Sequence, residues 1–326
     1  MIRQITLTAV LLHVALSTPL AAQAKPIAPE ARKHLEQFLD LLQNRSIYRQ
    51  SVDWKSLRAN TMAAAESAQT IADTYPAIRV ALTQLGDRHA YYRLETGKTT
   101  AIRGDVARCS APRVTASPTM PANVGYVRVV PVRASDIRAM TDAVIALRAL
   151  IKAGDDAGAT SWIVDLRGLG YGGTPAMLLG LAPLMGDDVV LTNIDSNEGK
   201  TPFVASSQFI GVNEGRVQIS DRLILKHRIP NVAVLIDGAT GGSGEMLAAA
   251  LTGRTEARLF GTPTCGLSPF VGKPLKLKNG AELVMSNTTI SDRAGKRYPG
   301  PIEPDERVDD AAVIIDRALA WLTSGK

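Results

Sequence analysis

Short apolar runs at Gly125 to Val130, Trp162 to Leu166 and Val232 to Ile236 each precede a stretch with helical periodicity, at Ser135 to Lys152, Pro175 to Leu184 and Glu245 to Leu251. This alternation constrains the chain more than any other feature. Strands of four to six apolar-rich residues are too short for helices and read as buried strands, and strand-helix-strand order builds a largely parallel sheet.

The segment before these units has a different pattern. From Pro29 to Leu85 apolar residues recur at three- and four-residue spacing, as in Leu35, Phe38, Leu39 and Leu42, which predicts a small helical domain. Asp53 before Trp54 is a cap, and Gly86 closes the last helix with the residue that best tolerates a left-handed backbone. Gly104, Pro112, Pro118 and Pro121 mark a linker. The reading is a leader at residues 1–24, a helical N-terminal cap domain at 25–115 and a β/α core at 116–326. Within the core, Asn279-Gly280 predicts a tight hairpin between Leu277 and Leu283, and Asp309 to Leu322 an amphipathic helix with acids at its start.

The leader rests on Arg3, the apolar stretch from Leu7 to Leu16 and the small-residue site Ala22-Gln23-Ala24, and predicts a mature chain starting at Lys25 in the periplasm or outside the cell. The apolar stretch is interrupted by Thr8 and His13 and falls short of the ~20 residues a span needs, so no stable membrane insertion is expected. The formal charge of +6 is spread without basic runs or interleaved aromatics, so no nucleic-acid partner is expected. The two cysteines, Cys109 and Cys265, form either one bridge or two buried thiols. Neither has metal-ligand spacing and no phosphate-binding loop is present, so neither metal nor cofactor is expected.

Chemistry concentrates in three segments. In NVAVLIDGATGGSGEMLAAAL a strand and a glycine-rich turn deliver Ser243 to a helix start, where unpaired N–H groups and the helix dipole favour an oxyanion; Ser243 either attacks there or merely caps the helix. In LGDRHAYYR, His89 sits on a tight loop and is the candidate base, since His34, on an amphipathic helix, and His227, between Lys226 and Arg228, read as surface residues. In WIVDLRGLGYGGTPAML, a strand runs into the glycines Gly168, Gly170, Gly172 and Gly173, whose N–H groups, with those of Gly242 and Gly244, can donate to an oxyanion.

These segments, in this order, with FGTPTCG and YPGPIEPDE after them, resemble the tail-specific or carboxyl-terminal processing serine peptidases, including their tricorn-like and retinoid-binding branches. The resemblance spans nearly the whole mature chain. It implies a crotonase-like or Clp-protease-like β/α core and a serine peptidase acting on peptide or protein chains. Ser243 would attack, His89 would take its proton, and Asp292, ahead of Glu303 and Asp305, would orient the imidazole. The match departs from the family at telling positions: Gly242 stands three residues before Glu245, where the reactive serine is usual. Leu267 stands where the processing branch has lysine, and Leu169 and Tyr171 alter the oxyanion loop. The alternative is an inactive relative that binds a peptide or a lipophilic ligand.

Overall fold

The computed structural model describes residues 25–94, 101–105, 109–111, 118–212, 215–227, 230–267, 270–271 and 273–324; the expected leader lies outside them. The first unit holds helices α1 (Pro29–Arg45), α2 (Trp54–Ala63) and α3 (Tyr75–Leu85), followed by the short strands β1 (Tyr91–Arg93) and β2 (Ala101–Arg103). Asp53 starts α2 by accepting from the Ser56 amide at 3.1 Å and the Ser56 hydroxyl at 2.6 Å. Gly86 ends α3 in the left-handed region, φ 71°.

The core alternates β3 (Val124–Arg128), α4 (Ile137–Asp156), β4 (Ser161–Asp165) and α5 (Thr174–Met185). Four strands that the apolar pattern did not announce come next: β5 (Asp188–Asp195), β6 (Lys200–Ala205), β7 (Phe209–Val212) and β8 (Gly215–Gln218). Then follow β9 (Asn231–Ile236), α6 (Ser243–Leu251), β10 (Ala257–Gly261), β11 (Phe270–Val271), β12 (Leu275–Lys276), β13 (Glu282–Val284), β14 (Ser286–Asp292), β15 (Arg297–Tyr298), β16 (Glu306–Arg307) and α7 (Ile314–Thr323).

The parallel sheet is real and has the order β16-β10-β9-β4-β3, with α7 on one face and α4, α5 and α6 contributing to the core on the other. A second, antiparallel sheet runs β11-β14-β5-β6-β7-β8 and closes over α5 and α6. Arginines tie these helices down: Arg293 Nη2 donates to the Met185 carbonyl at 2.9 Å and the Ala250 carbonyl at 3.3 Å, at the C-terminal ends of α5 and α6. A cation there meets carbonyls that no intrahelical N–H can reach.

Two expectations change. The Asn279-Gly280 hairpin forms, but its strands β12 and β13 pair with β1 and β2 in one four-stranded sheet, and Leu277, Leu283 and Met285 share a core with Leu35, Phe38 and Tyr92. A boundary drawn near residue 115 therefore omits part of the helical unit, because three-residue strands such as β1 need a partner from elsewhere in the chain. His34 is also buried, not exposed: it lies on the inward face of α1, and its Nε2 bonds to the Tyr92 hydroxyl at 3.0 Å. Burial lowers its pKa.

Candidate functional site

Two loops leave the carboxyl ends of neighbouring parallel strands, one after β4 and one after β9, at the edge of the sheet where α/β folds place their ligands. Asp165 anchors the first loop. Its carboxylate accepts from Arg167 Nε at 2.9 Å and Nη2 at 2.6 Å and from the Tyr126 hydroxyl at 2.8 Å, all buried or half-buried, so Asp-Leu-Arg is a fastening and not a reacting group. Burial opposes the Arg167 charge, yet the Asp165 carboxylate outweighs it and raises the guanidinium pKa.

Asp237 stitches the second loop to the first. Its Oδ1 accepts from the amides of Gly168 at 3.0 Å, Ala239 at 3.0 Å and Thr240 at 2.9 Å. Thr240 Oγ1 then donates to the Leu166 carbonyl at 2.9 Å, and the Gly241 amide to the Leu169 carbonyl at 3.0 Å. The loops pass so closely that a Cβ on Gly244 would stand 2.2 Å from the Leu169 oxygen.

The sharp turn at the start of α6 falls on Gly242, with φ 50° and ψ −108°. Side chains rarely occupy this region, which is tolerated where a turn must present one residue at a helix start. A Cβ on Gly242 would meet only the Gly170 carbonyl, at 3.1 Å. Glu245 holds the turn: its Oε2 accepts from the Gly242 amide at 2.9 Å, and its Oε1 from the Gly266 amide at 2.7 Å and from the Thr264 hydroxyl. Burial raises the Glu245 pKa against the lowering effect of these donors.

Ser243 follows the turn as the first residue of α6. Its hydroxyl accepts from Thr174 Oγ1 at 2.9 Å and donates to the Gly172 carbonyl at 3.0 Å. Thr174, the first residue of α5, had no place in the sequence reasoning; only its Thr-Pro helix start marked it.

His89 lies on the other side of the turn. Its Nε2 donates to the Leu267 carbonyl at 3.0 Å, and Leu267 packs on Gly241, where an added Cβ would stand 3.1 Å from Leu267 Cδ1. Among the described residues no hydrogen bond joins His89 to Ser243. Asp87 fixes the His89 loop, accepting from the His89 amide at 2.9 Å and the Ser286 amide at 2.7 Å. The neighbouring Arg88 donates to the carbonyl and sulfur of Cys265, and Cys265 is bridged to Cys109 with Cα atoms 5.4 Å apart. The disulfide therefore sits beside the site, in the loop that carries Leu267.

Asp292 does not orient His89. It accepts from the Tyr298 hydroxyl at 2.7 Å and the Lys296 amide at 3.0 Å, and it packs beside Gly253 just past the C-terminal end of α6. A nine-residue helix, about 12 Å long, separates that end from Ser243. Of the other acids, Asp305 accepts from the Leu259 amide at 2.8 Å and anchors β10, while Glu303 is exposed.

The six glycines expected to donate to an oxyanion divide in two. The amides of Gly168, Gly173, Gly242 and Gly244 are already given to Asp237, the Val132 carbonyl, Glu245 and the Gly241 carbonyl. Those of Gly170 and Gly172 have no acceptor among the described residues. No cluster of metal-ligating side chains occurs among the described residues.

Comparison with known proteins agrees with this layout. Residues 123–308 match the family described as Peptidase family S41. The nisin-resistance protein of Lactococcus lactis subsp. lactis is 24% identical over 300 residues, covering 91% of this chain and 89% of that one. Among solved structures, a lipoprotein from Streptococcus agalactiae superposes with a TM-score of 0.59 at 17% identity, covering 91% of this chain and 98% of its own. The photosystem II D1 C-terminal processing protease superposes with a TM-score of 0.52 at 17% identity, covering 87% and 94%. With its parallel Clp-protease-like core and two glycine loops meeting at the start of α6, this chain belongs to peptidase family S41.

Proposed function

We propose that this chain works outside the cytoplasm as a binding member of the peptidase family, holding its ligand in the cleft beside the α6 turn without cleaving it by acyl transfer. One observation carries the reading: the strained turn position is Gly242, which has no side chain, while the adjacent Ser243 spends its hydroxyl on Thr174 and Gly172. A nucleophile needs a base within ~2.6 to 3.2 Å, and His89 is bonded to Leu267 instead. Peptide or protein chains are the ligand class that family membership supports. The expected leader and the Cys109–Cys265 bridge support an oxidising compartment, and a lipoprotein among the structural relatives is in keeping with it. No helix among the described residues is long and apolar enough to cross a membrane.

A second reading keeps Ser243 as the nucleophile of a serine peptidase, and its position in the first turn of α6 favours it. Labelling with a fluorophosphonate separates the two. The binding reading expects no label on the wild type; label that Ser243→Ala and His89→Ala both abolish establishes the peptidase.

A further inference from the structure

Between α4, the first turns of α5 and strands β6, β7 and β8 lies a cavity of about 1240 Å³. Its wall is mainly apolar, and the part formed by α4 and β8 keeps large apolar side chains in solvent: Ile137 is 76% exposed, Ile145 60% and Val217 44%. Soluble chains seldom cluster such residues around one opening unless something covers them. The cavity reaches the functional site, because Thr174, whose hydroxyl bonds to Ser243, is part of its wall.

One side chain in this wall is unlike the rest. Arg148 is 5% exposed, its Nη2 donates to the Asp221 carbonyl at 2.9 Å, and its Nε and Nη1 are buried with no partner. No carboxylate among the described residues stands within ion-pair distance of it. Burial pushes its pKa down and the nearby Asp221 charge opposes that, but a guanidinium still keeps its proton at neutral pH, so the cavity wall holds a positive charge to which no carboxylate is bonded. Such a charge is costly in a low-dielectric surrounding, and the planar fork is shaped to take a carboxylate through two bonds.

We infer that the cavity is a site for a long-chain fatty acid, its hydrocarbon lying between α4 and β8 and its carboxylate on Arg148. The other cation in the wall, Lys152, is already paired with Asp156, and the Asp221 carboxylate also stands in the wall, so a monoanion on the unpaired Arg148 donors is repelled less than a phosphate dianion would be. A hydrocarbon chain also suits the wall better than a peptide does, because each peptide amide left unpaired against apolar side chains carries a desolvation cost. The coil after β8 is bonded to Arg148 through the Asp221 carbonyl, and the carboxylate takes the place of that single bond. This site adds to the reading of the chain as a binding protein and does not depend on whether Ser243 reacts.

The test is equilibrium displacement of a dansylated undecanoic acid from the full chain by hexadecanoic acid and by hexadecan-1-ol near neutral pH. The acid should bind about tenfold or more tightly than the alcohol, since a charge-assisted pair is lost with the alcohol. In Arg148→Met that preference should vanish while the alcohol binds as before. Equal binding of acid and alcohol to the wild type, or a preference that survives Arg148→Met, overturns the proposal. Should Arg148→Met not fold, Ile145→Asp, at an exposed position of the wall, should weaken acid binding about tenfold, and unchanged binding counts against the site. An apolar hexapeptide with free or amidated C-terminus forms the control arm: if it discriminates through Arg148 and hexadecanoic acid does not bind, the fatty-acid assignment is wrong. Fluorophosphonate labelling reads only Ser243, so failure here is distinct from failure of the functional reading.

Discussion

Replacing Gly242 by serine tests the account of the α6 turn most directly. At φ 50° and ψ −108° any residue with a Cβ is strained, at a cost of about 1–3 kcal/mol. The new Cβ would stand 3.1 Å from the Gly170 carbonyl, a contact that closes only if the loop after β4 gives by a few tenths of an ångström. At roughly 2–4 °C of melting temperature per kcal/mol for a chain of this order of size, Gly242→Ser should melt about 2–12 °C below the wild type. The same substitution puts a hydroxyl at the turn, between the Gly170 loop and the Leu267 segment to which His89 is bonded. Differential scanning calorimetry measures the first effect, and in-gel fluorophosphonate labelling, with His89→Gln added in the same background, measures the second. The expected pair of results is a lower melting temperature with a gain of His89-dependent label over an unlabelled wild type. An unchanged melting temperature refutes the strain argument, and a wild type that labels at Ser243 refutes the assignment of position 242 as the reactive one.

Other perturbations probe the supports of the site. Gly244→Ala places a methyl 2.2 Å from the Leu169 backbone oxygen, which neither loop can avoid cheaply, and chemical denaturation should find it destabilised by at least about 1–3 kcal/mol; a loss under 0.5 kcal/mol contradicts the close passage of the loops. Cutting the Cys109–Cys265 bridge, which spans 156 residues, with the double Cys→Ser variant should cost about 2–5 kcal/mol, and limited proteolysis should find the Thr264 to Leu267 segment cleaved sooner. His34 is held neutral by burial, so its native pKa is below the unfolded value of about 6.5 and the unfolded chain takes up the proton first. The stability it contributes is present above that unfolded pKa and is lost as pH falls through the native one; His34→Gln should flatten the slope of stability against pH below about 6.5, and an unaltered slope rules His34 out as its source.

Legibility in the sequence followed the strength of the local signal. The parallel strands β3, β4 and β9 were readable because both their faces are buried, and the caps at Asp53 and Gly86 because each is set by one residue's own chemistry. Strands β5 to β8 escaped notice: β8 is exposed throughout and the others mix buried with exposed positions, so no run of apolar residues announces them. The two glycine loops and the Ser243 helix start were visible as motifs, yet their roles depend on contacts between distant segments, such as Asp237 with Gly168 and Thr174 with Ser243. Asp292 was attractive from its place in the chain order alone, and only the length of α6 removes it from His89. Arg148 illustrates the same limit from the other side. On a helix with apolar periodicity it reads as one more solvated arginine, and its significance comes from the coil after β8, some seventy residues later, which bonds its guanidinium through a backbone carbonyl and leaves its Nε and Nη1 without a partner. A helix that carries a charge on its buried face departs from the usual pattern, and such departures concentrate where a chain has something to bind.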